Sequence, residues 1–138
     1  MLKLSKKTDY AIILLTHLAV KTIPVSAQEI AFQYHLPQPM VANILKLLAS
    51  SGIIESKRGQ QGGYILVKSP GTVSIAEIIR VTDHTLNLVE CVHADDSCKV
   101  NQWCPTKDTL IALNHRVEQF MESLTLEEII SHPRFNII

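Results

Sequence analysis

Cys91, Cys98 and Cys104 are the only cysteines of this 138-residue chain, and they stand at C-x6-C-x5-C within fourteen residues, CVHADDSCKVNQWC. An odd count argues against a disulfide framework. A catalytic cysteine needs a paired base and a pocket, and no pattern in the chain supplies them, so an enzyme is not expected. Three readings remain. Free thiols can act as small buried hydrophobes, although their clustering in a polar stretch speaks against this. A structural zinc would draw in His93 as a fourth ligand, but the short knuckle spacing of zinc sites is missing. An iron–sulfur cluster, whose preferred ligands are thiolates, suits the long gaps best. Cys104 also precedes Pro105 at the expected start of a helix, where the dipole favours thiolate over thiol. Trp103 beside it offers a shield from water. Incomplete thiolate ligation would make such a cluster labile, which fits a sensor better than an electron carrier.

The elements that must carry this stretch follow from periodicity and caps. Residues 8–21 place Ala11, Leu14, Leu15, Leu18 and Ala19 on one helical face, with Ser5 or Thr8 as cap and Asp9 in the first turn. Lys6 and Lys7 precede that helix and are expected to be free to meet phosphate. Ser26 and Glu29 form a capping-box pattern for a short helix from about Ala27 to Tyr34. After a tight connection at His35-Leu36, Pro37 or Pro39 starts a third helix, with Val41, Ile44, Leu45 and Leu48 facing inward and Gly52 ending it. Short helix, turn and longer helix make a helix-turn-helix, and the exposed positions of its second helix are Gln38, Met40, Asn43 and Lys46. Two short β-branched runs, 53–57 and 64–67, flank Arg58-Gly59-Gln60-Gln61-Gly62-Gly63 and read as a β-hairpin. In that position the hairpin is a wing. Arg58, Gln60 and Gln61 lie at its tip, and its glycines would let backbone approach phosphates.

A capping box at Ser74–Glu77 opens a fourth helix, whose Ile75, Ile78 and Ile79 are expected to pack on the wing. Residues 84–104 carry no regular pattern. Beyond Pro105, Leu110, Leu113, Val117, Phe120 and Leu124 alternate spacings of three and four, a seam of two heptads. That seam needs a partner, either helix one of the same chain or the same helix of a second copy. A third capping box lies at Thr125–Glu128. The expected fold is mainly α: a winged helix-turn-helix with a two-stranded wing and a long C-terminal dimerisation helix. Its divisions are a DNA-binding unit at 1–83, a cysteine loop at 84–104 and a dimerisation helix with tail at 105–138.

A net charge of zero hides an asymmetry. Residues 1–70 carry eight Lys/Arg against three Asp/Glu, whereas residues 71–138 carry five against ten. The basic half suits a polyanion and the acidic half repels one. No run of eighteen apolar residues is present, so no membrane span is expected. The opening MLKLSKKTDY lacks an export pattern, which places the chain in the cytoplasm.

Together the opening LSKKTDYAIILLTHLA, the helix-turn-helix at 26–51, RGQQGGY at 58–64, VSIAEII at 73–79 and the cysteine triplet followed by proline resemble the Rrf2 family of winged-helix regulators. That family includes the Isc and Suf cluster-assembly regulators and a nitric-oxide-sensitive repressor. The opening and the QGGY segment look most similar to the Suf-operon branch. The resemblance covers nearly the whole chain. It implies a homodimer on double-stranded operator DNA, read by helix three and wing, with repression of cluster-assembly genes as the outcome. It also implies a cluster held by Cys91, Cys98 and Cys104, 2Fe-2S in the favoured form and 4Fe-4S as the alternative. The Isc pattern places a histidine three residues after the third cysteine, where this chain has Lys107. In the nitric-oxide branch an aspartate of a Thr-Asp pair in helix one, donated by the other subunit, fills the fourth place, and Asp9 matches it. A DNA-binding thiol sensor, or a zinc-bound regulator, is the alternative.

Overall fold

The computed structural model describes residues 3–92 and 98–132. Among the described residues six α-helices and one antiparallel hairpin follow in the order α1 (Lys6–Ala19), α2 (Ala27–Gln33), α3 (Gln38–Ser50), β1 (Ile54–Lys57), β2 (Gly63–Leu66), α4 (Ile75–Asp83), α5 (Lys107–Ser123) and α6 (Leu126–Ser131). This is the winged helix-turn-helix expected from the sequence.

Local chemistry sets the helix ends. Ser5, Ser26, Ser74 and Thr125 each accept a hydrogen bond from the backbone N–H three residues on, which satisfies one orphan donor of the first turn. At Thr125 the box is reciprocal, because Glu128 also accepts from the Thr125 N–H. The cap of α1 is thus Ser5, and Thr8 lies inside the helix with its side chain fully buried. Lys6 and Lys7 belong to the first turn of α1 instead of preceding it, and Lys7 Nζ donates to the Thr82 carbonyl at 3.2 Å. Pro37 caps α3 and Pro39 occupies its first turn, where no N–H is needed. Gly52 takes a φ of 81° just beyond the α3 C-cap.

The core is built from Leu14, Leu15 and Leu18 of α1, Ile30 of α2, Val41, Ile44, Leu45 and Leu48 of α3, Ile53 and Ile54 at β1, and Ile75 and Ile78 of α4, with Leu126 of α6 joining them. Each fully buried aliphatic side chain stabilises by about 1.5–3 kcal/mol before entropy is counted. α4 packs on α1, α5 and α3, so its isoleucines meet these helices in place of the wing. The wing is instead pinned by a bridge between Val25 and Tyr64, with backbone hydrogen bonds of 3.0 and 2.8 Å. A Cβ at Gly63 would lie 2.5 Å from the Val25 carbonyl group, so only glycine lets β2 come this close. Close packing within the chain therefore explains this wing glycine, whereas the sequence suggested a role toward phosphate.

α5 packs against α4. Arg80 of α4 forms ion pairs with Glu118 and Glu122 of α5, and Ser74 donates to Glu122 at 3.0 Å. The in-chain partner of the C-terminal seam is thus α4, where helix one was expected. Val117 and Met121 turn inward beside Ile79 and Leu86, while Leu113 and Phe120 are 49% and 60% exposed.

Candidate nucleic-acid interface and cysteine loop

The outward face of α3 follows from its inward one. With Val41, Ile44, Leu45 and Leu48 buried, Gln38, Met40, Asn43 and Lys46 are left exposed, as the 3.6-residue period requires. A cleft of about 440 Å³ runs along this helix, lined by Pro37, Pro39, Met40, Asn43, Ile44 and Leu47 with Lys7 of α1 at its edge. The first turn of α1 and α3 therefore form one surface. Lys6 is exposed there, with Nζ 5.8 Å from the centre of the Tyr10 ring. Arg58, Gln60 and Gln61 are exposed at the tip of the wing. Lys6, Gln38, Met40, Asn43, Lys46, Arg58, Gln60 and Gln61 are all exposed.

The cysteine stretch is tied to this unit at its entry. α4 ends at His84, a non-glycine residue with a φ of 64°. Its last residues are clasped to α1: Ser5 Oγ donates to Asp83 Oδ1 at 2.8 Å, Thr8 Oγ1 donates to Asp83 Oδ2 at 2.7 Å, and the Thr8 and Thr82 hydroxyls lie 2.6 Å apart. Downstream, the Leu88 N–H donates to Asn114 Oδ1 at 2.7 Å, and Asn114 is the buried residue of α5. The clasp and the Asn114 tether were missed from sequence. An asparagine on the inner face of an otherwise exposed helix was the signal available for the tether.

Cys91 lies in a single 3-10 turn at Glu90–Val92, Cys98 opens a turn through Trp103, and Cys104 stands just before the Thr106 cap of α5. All three cysteines are free of disulfides, and each residue is partly exposed. The Cys104 thiol is held below its ordinary value. The Thr106 hydroxyl, 3.4 Å from Sγ, is the main cause, followed by the Thr106 and Lys107 N–H groups and the Lys107 charge. Lys107, where the Isc pattern has a ligand, thus favours a Cys104 thiolate. Asp9 is exposed in the first turn of α1. His93 lies outside the described residues. Among the described residues no three His, Cys, Asp or Glu side chains converge as a metal-holding group. The donor chemistry nevertheless suits a thiophilic metal cluster, with three thiols free of disulfides and the one at Cys104 held below its ordinary value. No helix among the described residues is long and apolar enough to cross a membrane.

Comparison with known proteins agrees with this architecture. A family model for Rrf2, described as an iron-dependent transcriptional regulator, matches residues 4–132. The chain is 31% identical over 132 residues to the HTH-type transcriptional regulator NsrR of Bacillus licheniformis, covering 94% of this chain and 92% of the relative. Among solved structures, CymR, the global cysteine regulator of B. subtilis, superposes with a TM-score of 0.75 at 28% identity, covering 95% of this chain and 98% of that one. IscR of T. potens superposes with a TM-score of 0.71 at 29% identity, covering 94% and 86%.

Proposed function

The chain belongs to the Rrf2 family of transcriptional regulators, and on that premise we propose that it is a cluster-dependent repressor of iron–sulfur assembly genes of the Suf type. Gln38, Met40, Asn43 and Lys46 read the major groove of operator DNA, while Lys6 and the wing residues Arg58, Gln60 and Gln61 meet its backbone and minor groove. Cys91, Cys98 and Cys104 hold the iron–sulfur cluster, 2Fe-2S in the favoured form, with Asp9 of a second subunit as the fourth ligand. When bound, that group supplies a labile centre that iron shortage, oxidants or nitric oxide can remove. The observation that carries this reading is the Cys104 thiol, biased toward thiolate at the head of α5, in a stretch whose entry is hydrogen-bonded to both α1 and α5. Ordering or releasing that stretch then acts on the first turn of α1, which edges the reading cleft. Such a switch needs a difference of a few kcal/mol in DNA affinity between the two states.

Anaerobic purification followed by iron and sulfide counts tests the proposal directly. Stoichiometric iron and sulfide, with operator affinity that changes about ten-fold or more in Cys98→Ala, is the expected result. Protein that comes out colourless, with zinc or no metal, overturns the cluster. Equal operator affinity for both proteins at one salt concentration overturns the switch. A second reading, a thiol sensor without metal, draws on the three free thiols that do not converge among the described residues and on the likeness to the global cysteine regulator. Colourless protein whose DNA binding responds to oxidant would favour it.

A further inference from the structure

The chemistry along α3 also says which bases it is fitted to read. α3 contains no Asp, Glu or Arg. It therefore lacks the carboxylate that accepts from cytosine N4 and the guanidinium that forks onto guanine. What it exposes is two carboxamides, Gln38 and Asn43, a lysine, and an apolar cleft. Met40 is 39% exposed, one turn before Asn43, and Pro37 and Pro39 continue the same lining toward the helix start. The two prolines also remove donors from the first turn, so this end of the helix is apolar where many helix starts would grip an anion. A carboxamide pairs in bidentate fashion with adenine N6 and N7 in the major groove. The one apolar group that DNA presents in that groove is the thymine methyl. The basic edge supplied by Lys7, and the net positive charge of residues 1–70, select a polyanion as occupant over an apolar peptide.

We infer that the cleft between Met40, Pro39 and Lys7 is a thymine-methyl subsite, and that Asn43, one turn on, reads an adjacent adenine, so the half-site is centred on A·T pairs. This deepens the DNA-binding reading above and rests on it. Met40 is then a specificity residue whose thioether covers the methyl, while Lys46, further along, meets a phosphate or a guanine without choosing between A·T orientations.

Selection of duplexes from a random pool by the full-length protein comes first, followed by replacement of each half-site thymine with uracil, which deletes only the methyl. The expected result is enrichment of A·T-centred half-sites and a loss of roughly four-fold in affinity at one thymine per half-site, the factor for exposing one methyl. Met40→Ala should lose the preference for the thymine duplex over the uracil duplex, the ratio of the two affinities falling toward one. Met40→Leu should keep that preference. A pool that yields no enriched sequence overturns the sequence-specific reading and this inference with it. An enriched duplex that tolerates uracil at every half-site position, or a Met40→Ala protein that still prefers thymine, overturns the methyl subsite alone.

Discussion

His17 is completely buried, with Nδ1 2.9 Å from the Tyr34 hydroxyl and the two rings edge to face. Its Nε2 is buried and finds no hydrogen-bond partner among the described residues. Burial, and next the Lys21 charge, push the imidazole below its ordinary value of 6.5. The sign of the linkage follows. The unfolded chain takes up a proton below pH 6.5 that the folded chain refuses, so the contribution of neutral His17 is complete above that pH and is lost as pH falls below it. Thermal unfolding between pH 5 and 8 should show stability falling on the acid side, and His17→Phe should flatten that slope; an unchanged slope removes His17 as its source. Nothing in the sequence singled out His17, because its pairing with Tyr34 is made by tertiary packing of α1 on α2. The tight connection at His35-Leu36 was legible, but the left-handed φ of 53° at His35 was not, because no glycine or asparagine marks it. The outward positions of α3 were legible, since four buried aliphatic residues leave the rest of the helix only one way to face.

At the scale of elements, the wing gives the sharpest test. β2 reaches the start of α2 only because residue 63 has no side chain, so Gly63→Ala should prise the hairpin from Val25 at a cost of about 1–3 kcal/mol. Gly59 at the tip has a φ of 121° and open space around its Cα. Gly59→Ala therefore bears backbone strain alone and leaves the Val25–Tyr64 bridge intact. Chemical denaturation of both variants separates the cases, and an equal or smaller loss for Gly63→Ala would show that the close approach does not matter. Helices announced themselves through their caps, and the four serine or threonine caps account for four of the six starts. What the pattern could not convey was which element each apolar face meets. Ile75, Ile78 and Ile79 were expected against the wing, and their place beside α1 instead emerges from the clasp of Thr8, Thr82 and Asp83. Within that clasp Thr8 is buried, so Thr8→Val should cost about 1–3 kcal/mol by leaving the Asp83 carboxylate short of a donor. Asp83→Ala should cost less when added to Thr8→Val than alone, as expected for partners in one network.

For the whole molecule the governing fact is that one chain does not cover α5. Its inner face is satisfied by α4 and by the tether to Leu88. Its other side keeps Leu113 and Phe120 largely exposed, two turns apart on the helix, and Val100 and Trp103 before it are 58% and 86% exposed. Apolar surface in such a row costs free energy in water unless another copy covers it, and a helix laid against its own two-fold mate does so with one patch used twice. A dimer also brings two reading helices onto one duplex, so the second half-site is engaged at high effective concentration. Leu113→Glu with Phe120→Glu should therefore leave the winged unit folded, since neither residue belongs to the core, and convert the protein to a monomer. Light scattering should read the parent at twice the chain mass and the double variant at once. Operator affinity should drop by about a hundred-fold or more with the half-site contacts unchanged. A double variant that stays dimeric, or a monomer that binds a full operator as tightly as the parent, would place the interface elsewhere than on this face of α5.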